Sequence, residues 1–252
     1  TVGGVEMAWI ANFRERAGRL LGQGLDLLCP PRCLFCRVDV ADPENAAAVV
    51  CDDCAGRLTE GRDRCLACGG PLTAGECPCG GRCHDWDGIV VLAGYDGEIR
   101  EAVLAAKRPA GDLLAAGLAT LLVARHRERL AAWRPDLVTP VPMHWQRRVR
   151  RGGSLADGLA RRVAAELQLP FRAVLRRTRA TVMQNELEPH QRRANVAGVF
   201  RAGPRVAGRR VLLVDDVTTT GSTLAACRAA LAEAGAAAVY AGVVARADRV
   251  VR

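Results

Sequence analysis

Short apolar runs alternate with longer segments of helical periodicity in the part of the chain after residue 86. Runs of about four to eight apolar residues indicate buried strands, and apolar residues at every third or fourth position indicate helices. The pattern predicts strands over 88–95, 137–141, 173–175, 209–214 and 238–245, and helices over 98–107, 113–130, 154–167 and from Ser222 to Gly235. This alternation predicts an α/β fold with a mostly parallel sheet that helices cover on both faces.

Two segments of this part carry further expectations. The last predicted helix has Leu224, Cys227 and Leu231 on one face, so Cys227 is expected in the core. Residues 178–195 are polar, with few apolar positions and a proline, and are predicted to form a long loop. Loops of this length in a compact domain are usually functional or disordered.

Residues 1–28 have an amphipathic pattern and no continuous apolar run. The apolar positions are interrupted by Arg14, Glu15, Arg16 and Arg19. A secretory signal has a continuous apolar core, and a membrane span needs roughly 20 apolar residues. The segment is therefore predicted to be an amphipathic helix packed on its own protein, with no membrane span in the chain and a cytoplasmic location.

Ten of the eleven cysteines lie between Cys29 and Cys83. Thiols of cytoplasmic proteins stay reduced, so such clustering favours metal binding. Two Cys-x2-Cys pairs separated by fourteen residues have the spacing of a four-thiolate zinc ribbon. The ligands predicted for this first site are Cys33, Cys36, Cys51 and Cys54.

A second zinc site begins with the pair Cys65 and Cys68. Its two closing positions have four candidates, Cys77, Cys79, Cys83 and His84. Cys79 and Cys83 are the favoured pair. A redox role is the alternative, but regularly spaced cysteines without a flanking βαβ pattern favour structural zinc. Residues 29–85 are thus predicted to form a double zinc-ribbon module with two structural Zn2+ ions.

The apolar run 211–214 ends in Asp215 and Asp216 and continues into a run of Thr, Gly and Ser. A buried parallel strand ends at the carboxyl edge of its sheet, where α/β proteins bind ligands. Small residues, hydroxyls and a helix N-terminus suit a phosphate, and paired carboxylates suit vicinal sugar hydroxyls or a divalent cation. A ribose 5-phosphate satisfies both halves, whereas an ordinary strand, turn and capped helix is the alternative. The predicted contacts are Asp215, Asp216, Thr218, Thr219, Thr220, Gly221, Ser222 and Thr223.

The chain has a net charge of +9, which favours phosphate-rich or polyanionic partners. Its basic side chains are all Arg except Lys107. A compact ammonium group suits a pyrophosphate, although a chance residue on a solvated helix face is an equal alternative. The motifs of P-loop and dinucleotide-binding folds are absent from the sequence.

Taken in order, these pieces resemble the ComF family, which has a double zinc-ribbon module followed by a type I phosphoribosyltransferase-like domain, here residues 86–252. The resemblance rests on several motifs: Pro30-Pro31-Arg32-Cys33-x2-Cys36, the isolated Lys107, Val141-Pro142-Met143-His144 with Arg151-Gly152, Gln184-x2-Leu187 with Arg192-x2-Asn195, and the run from Asp215 to Thr223. One segment departs from it. Gly153-Ser154-Leu155 stands where such chains usually have Phe-Asn-Gln.

The resemblance implies binding of phosphoribosyl pyrophosphate (PRPP) with Mg2+ and a role in uptake of single-stranded DNA during natural transformation, beside a helicase-like ATPase. Asp215, Asp216, Lys107 and Arg192 are the expected catalytic residues, if phosphoribosyl transfer to an unknown acceptor takes place. The candidates for contacting pyrophosphate or nucleic acid are His144, Arg147, Arg148, Arg151, Gln184 and Asn195. The alternative is a non-catalytic adaptor that binds single-stranded DNA through its basic loops.

Overall fold

The computed structural model describes residues 31–40, 50–59, 63–77, 79, 86–143, 154–178 and 198–248. The chain forms two compact units, Thr1–Cys54 and Ala55–Arg252. The predicted domain boundaries after residues 28 and 85 stay predictions, and the amphipathic helix of residues 1–28 lies outside the described residues.

Five helices and six strands are described. The helices are α1 (Asp52–Leu58), α2 (Gly97–Ala106), α3 (Asp112–Trp133), α4 (Leu155–Glu166) and α5 (Ser222–Glu233), with a short 3-10 helix at Pro204–Val206. The strands are β1 (Gly88–Gly94), β2 (Leu137–Pro140), β3 (Leu175–Arg177), β4 (Phe200–Ala202), β5 (Arg210–Thr218) and β6 (Ala238–Arg246). No helix among these described residues is long and apolar enough to cross a membrane.

Four strands form a parallel sheet in the order β1-β6-β5-β2. The central strands β5 and β6 are almost continuously apolar because both of their faces are covered. Helix α5 covers one face, where Leu224, Cys227 and Leu231 are buried. Helices α3 and α4 pack against each other and against the strands, with Leu122 of α3 above Gly242 of β6. The predicted α/β fold is confirmed, and Cys227 lies in the core as expected.

The structure differs from the predicted strands on the α5 side. Strand β3 begins at Leu175, two residues after the predicted start, and pairs antiparallel with β4, which the sequence pattern did not predict. Leu-Arg-Arg and Phe-Arg-Ala are too short and too basic to show a strand period. The ribbon that β3 and β4 form packs on α5 and flanks residues 179–197, which lie outside the described residues.

Both outer strands of the sheet have a non-strand segment along part of their free edge. The amide of Ile89 in β1 donates to the carbonyl of Leu66 at 2.9 Å. In β2, the amide of Val138 donates to the carbonyl of Pro170 at 3.0 Å, and the carbonyl of Val138 accepts from the amide of Arg172 at 2.9 Å. Backbone groups that an edge strand would leave unpaired are therefore satisfied at these positions.

Candidate functional site

Strand β5 extends four residues beyond its predicted end at Val214 and carries two acidic side chains at the carboxyl edge of the sheet. Its neighbour β6 runs on to Arg246 and supplies the hydrogen-bond partners for this extension. Asp215 is buried, and its Oδ1 accepts a hydrogen bond from the amide of Asp216 at 2.9 Å. Asp216 Oδ1 accepts in turn from the amide of Val217 at 2.7 Å. Backbone donors thus fix the orientation of both carboxylates.

Lys107 joins this acidic pair from another part of the chain. It follows the last residue of α2, and its Nζ lies 2.7 Å from Asp216 Oδ2. The Lys107 side chain is 26% exposed and that of Asp216 is 17% exposed, so water screens the pair only partly. The only lysine of the sequence therefore belongs to the site. Its partner in the structure is an aspartate, which a pyrophosphate would have to displace.

The Asp215 carboxyl has an unusual electrostatic environment. Burial, followed by the neighbouring charge of Asp216, raises its pKa well above the ordinary 3.8, while the amide of Asp216 and the ammonium of Lys107 act in the opposite direction. A carboxyl group with a raised pKa can donate a hydrogen bond as well as accept one. The pair is therefore suited to hydroxyl groups, each of which is both donor and acceptor.

The loop between β5 and α5 has the features of an anion site. Gly221 precedes the helix with a φ of 76°, a left-handed conformation that side chains disfavour. The Oγ atoms of Thr220 and Ser222 lie 2.8 Å apart, and the amide of Ser222 lies 3.4 Å from Thr220 Oγ1. Helix α5 begins at Ser222 and directs the positive end of its dipole at this loop. Hydroxyls, a glycine and a helix N-terminus thus converge within one turn.

Arg177, at the end of β3, acts electrostatically on Cys227, a core residue of α5. Burial and the charge of Asp215 raise the pKa of the Cys227 thiol, and the guanidinium of Arg177 lowers it. Arg177 also lies over the ring of Phe200, 5.7 Å from its centroid. The β3–β4 ribbon therefore carries a cation that acts on the same buried thiol as the charge of Asp215. Sequence analysis did not assign Arg177 to this position, because the pairing of β3 with β4 leaves no local signal.

The other predicted site residues lie outside the described residues. This applies to Arg192, His144, Arg147, Arg148, Arg151, Gln184 and Asn195. The described residues on either side of these segments are as follows. Pro140, the last residue of β2, pairs with Val214 of β5, and Thr178 and Val199 are hydrogen bonded at the base of the β3–β4 ribbon.

The first cysteine cluster consists of Cys33, Cys36, Cys51 and Cys54, as the spacing predicts. Its four sulfur atoms lie within 4.8 Å of one another, and the Sγ atoms of Cys36 and Cys51 are 3.5 Å apart. Tetrahedral zinc with Zn–S bonds of about 2.3 Å places sulfur atoms about 3.8 Å apart, so the donor set fits a zinc ion. Burial acts to raise the pKa of Cys33, but amides of Cys36, Cys51 and Phe35 lower it to about 6, which favours the thiolate.

The second cluster consists of Cys65, Cys68, Cys77 and Cys79. Its sulfur atoms also lie within 4.8 Å of one another, with 3.8 Å from Cys65 to Cys79 and 3.4 Å from Cys68 to Cys77. Among the described residues, Cys77 and Cys79 complete a set of four thiolates, which is the number a structural zinc site needs. Cys83 lies outside the described residues, so its predicted role as a ligand stays a prediction. Burial raises the pKa of Cys68 to about 11 and that of Cys77 to about 12, so zinc binding here must release protons.

Comparison with known proteins identifies the class of protein that has such a site. The family described as phosphoribosyl transferase domain matches residues 112–249, which include β5, the acidic pair and the loop before α5. The chain is thus a phosphoribosyl transferase domain protein with two four-cysteine clusters ahead of the matched segment.

The relatives narrow this class. The chain is 33% identical over 222 residues to DNA utilization protein YhgH of Escherichia coli strain K12, covering 84% of this chain and 96% of that protein. It is 29% identical over 203 residues to Competence protein F of Haemophilus influenzae, covering 77% and 87%. It is also similar to the solved glutamine PRPP amidotransferase from B. subtilis, with 21% identity, a TM-score of 0.38 and coverage of 56% of this chain and 30% of that one. The chain belongs to the ComF family.

Proposed function

We propose that this protein binds PRPP together with Mg2+ at the carboxyl end of β5. One observation carries the proposal: an acidic pair, fixed by backbone amides and with Asp215 buried, comes shortly before a loop that combines Gly221, paired hydroxyls and a helix N-terminus. The first half suits the ribose hydroxyls and the second half suits the 5-phosphate. The phosphoribosyl transferase family match supports the same ligand.

Each side chain has a defined part in this proposal. Asp215 and Asp216 hold the ribose hydroxyls, while Thr218 to Thr223 hold the 5-phosphate. Lys107 leaves Asp216 and contacts the pyrophosphate, whose charge the ammonium compensates. Mg2+ supplies further compensation of that charge when it is bound with PRPP. Arg192 lies outside the described residues, and its expected part is that of a further cation in the site.

Exchange of both acids for amides tests the proposal. We expect Asp215→Asn/Asp216→Asn to bind PRPP at least about 100-fold more weakly than the parent protein, because two charge-assisted contacts of about 1.5–3 kcal/mol each are lost. Isothermal titration calorimetry with PRPP and Mg2+ measures the affinity. The control is Glu101→Gln, which neutralises an exposed acid of α2, and unchanged PRPP affinity in the double variant would contradict the proposal.

A second measurement separates a transferase from a binding protein. In phosphoribosyl transfer, the bond from the anomeric carbon to pyrophosphate breaks, its electron pair leaves with the pyrophosphate, and the acceptor supplies the pair for the new bond. Incubation of the protein with PRPP, Mg2+ and a panel of bases and amines, followed by assay for pyrophosphate, identifies turnover and its acceptor class.

A second candidate function, binding of single-stranded DNA in the cytoplasm, is favoured by one feature of the β3–β4 ribbon. Arg176 and Arg201 are exposed and stand directly opposite each other in the antiparallel pair. Like charges in this position destabilise a ribbon, and a polyanion lying across them would remove the penalty. The names of the relatives, DNA utilization protein and competence protein, agree with such a role.

We expect Arg176→Gln/Arg201→Gln to weaken binding of a fluorescent single-stranded oligonucleotide and to make it less dependent on salt. Each lost phosphate contact should reduce the slope of log affinity against log salt by about 0.7. Fluorescence anisotropy over a salt series measures both quantities. Arg127→Gln/Arg129→Gln, which removes the same charge from exposed positions of α3, is the control; equal losses in the two variants would indicate only a general charge effect.

A further inference from the structure

The two cysteine clusters begin with the same small hairpin. In the first, the amide of Cys33 donates to the carbonyl of Val38 at 2.8 Å; in the second, the amide of Cys65 donates to the carbonyl of Gly70 at 2.8 Å. Equivalent positions thus differ by 32 in residue number. The residue after the second cysteine is left-handed in both, with φ of 66° at Arg37 and 72° at Gly69.

An arginine precedes the first cysteine of each hairpin, but the two arginines have different partners. Arg32 pairs with Asp39 across its own hairpin, with Nε 3.0 Å from Oδ1, and both side chains are more than half exposed. Pro71 occupies the position equivalent to Asp39 and has no carboxylate. Arg64 binds Asp248 instead, with 3.2 Å from Nη1 to Oδ1 and 3.0 Å from Nη2 to Oδ2.

The Arg64 contact is partly buried, and Arg64 makes more than one hydrogen bond in it. The arginine side chain is only 9% exposed, and its Nη1 also donates to the carbonyl of Gly69 at 3.0 Å. A two-point guanidinium–carboxylate pair of this kind fixes both position and orientation. The second hairpin is therefore anchored to a residue 184 positions away, while the corresponding arginine of the first hairpin makes a local, exposed pair.

Further contacts join the second hairpin to the sheet. The amide of Ile89 donates to the carbonyl of Leu66. A Cβ at Gly69 would lie 2.6 Å from Val91 Cγ2, so this glycine allows close packing on β1. Arg246, the last residue of β6, donates from Nη1 to the carbonyl of Cys68, a residue of the second cluster.

The same end of β6 supports the start of the phosphate loop. Arg246 is the register partner of Thr218, and the amide of Ala247 donates to the carbonyl of Thr218 at 2.8 Å. One chain of direct contacts thus runs from Cys68 through Arg246 to Thr218. Arg64 holds the end of β6 in place because it pairs with Asp248, two residues after Arg246. Thr218 is buried and leads directly into the loop that contains Gly221.

We propose that Arg64 and Asp248 are positioning residues that make the second cysteine cluster a support for the phosphate loop, so that metal occupancy there and PRPP affinity are linked. The linkage to PRPP rests on the function proposed above. The support that the second cluster gives to the phosphate loop does not depend on that function. When the cluster holds zinc, the hairpin fixes Arg246 and Asp248 and thereby the strand end beside Thr218.

Hydrogen exchange measured by mass spectrometry tests this support of the loop without any ligand. Arg64→Gln keeps all the cysteines but loses the two-point pair, and Arg32→Gln is the matched control in the first hairpin. We expect Arg64→Gln to accelerate exchange at Thr218–Thr223 and Ala247, with Arg32→Gln unchanged there and zinc content equal by mass spectrometry. Asp248→Asn removes the other partner of the same pair and should give the same result. It therefore replaces Arg64→Gln in the experiment if that variant folds poorly. Unchanged exchange of these peptides in both Arg64→Gln and Asp248→Asn overturns the proposal.

PRPP calorimetry on the same proteins tests the linkage. Couplings between sites typically change affinity by about 5–150-fold, so we expect PRPP affinity to fall at least about fivefold in Arg64→Gln and not in Arg32→Gln. By reciprocity, PRPP with Mg2+ should tighten zinc binding by the second cluster, measured with a chromogenic chelator, and Arg64→Gln should abolish this effect. If the parent protein does not bind PRPP while the exchange difference is present, the proposed function fails and the support of the loop stands. Equal PRPP affinity in the parent protein and Arg64→Gln refutes the linkage.

Discussion

Replacement of Asp215 by asparagine should raise the melting temperature of the protein while it weakens PRPP binding. The carboxyl group is buried beside Asp216, and both effects raise its pKa above the ordinary 3.8. Asparagine retains an oxygen to accept the hydrogen bond from the amide of Asp216 and carries no charge to bury. A gain of about 1 kcal/mol corresponds to about 2–4 °C in a chain of this size, and we expect a rise of at least about 2 °C at pH 8.

The sign of the pH dependence follows from the direction of the shift. Below pH 3.8, the pKa of this carboxyl in the unfolded chain, the group is protonated in both the folded and the unfolded state and does not lower the free energy of unfolding. As the pH rises through the raised folded pKa, the parent protein loses stability, which the asparagine variant does not. The advantage of Asp215→Asn should therefore be larger at pH 8 than at pH 5 in denaturant unfolding, and an advantage that shrinks with rising pH would contradict the assignment.

Asp136, at the opposite end of the sheet, is a control because its pKa is shifted in the opposite direction, below the ordinary value. The amide of Arg210 donates to it at 2.7 Å, and this hydrogen bond, followed by the guanidinium of Arg210, lowers its pKa. Its contribution to stability is present above pH 3.8 and is lost as the pH falls. Asp136→Asn should therefore destabilise the protein at neutral pH. The buried carboxyl of Asp215 lowers the free energy of unfolding. Such a loss of stability is expected where function requires the acid.

Removal of zinc should produce the second large effect. Structural zinc contributes about 10–16 kcal/mol of apparent binding free energy in zinc-finger peptides, far more than these short hairpins gain from their few buried residues. We expect a chelator to make residues 31–79 sensitive to protease, while the strands and helices from β1 to β6 stay resistant because they have their own core. Limited proteolysis with mass spectrometry measures this, and restored zinc should restore resistance.

Two single exchanges sharpen this experiment. Cys77→Ser should reduce the zinc content from two ions to one, because Cys77 belongs to the second cluster. Cys83→Ser should leave two ions bound. The reverse result would return Cys83 to the position that the sequence alone suggested, and full protease resistance of a metal-free sample would contradict the zinc assignment.

The sequence predicted those parts of the fold that depend on local pattern. The apolar run before Asp215, the helix after Gly221 and the burial of Cys227 each follow from a few neighbouring residues. The spacing of Cys33, Cys36, Cys51 and Cys54 likewise brings these thiols together, because each pair occupies a tight turn.

What the sequence could not predict depends on contacts between distant residues. The strand order β1-β6-β5-β2 and the pairing of β3 with β4 leave no trace in any short window. Sequence analysis named both Lys107 and Asp216, but their contact arises only because α2 ends beside β5. No pattern in the sequence pairs Arg64 with Asp248. The one local signal is Pro71, which stands where the first hairpin has Asp39 and so leaves Arg64 without a carboxylate at that position.

The covered edges of the sheet have a consequence for the solubility of the protein. A free strand edge can recruit a strand from another molecule, which leads to aggregation. Here the backbone of Leu66 occupies part of the β1 edge and the segment around Phe171 occupies part of the β2 edge. Leu66 lies between Cys65 and Cys68 of the second cluster. If zinc holds this hairpin in place, we expect zinc depletion to uncover the β1 edge and to promote self-association of the protein.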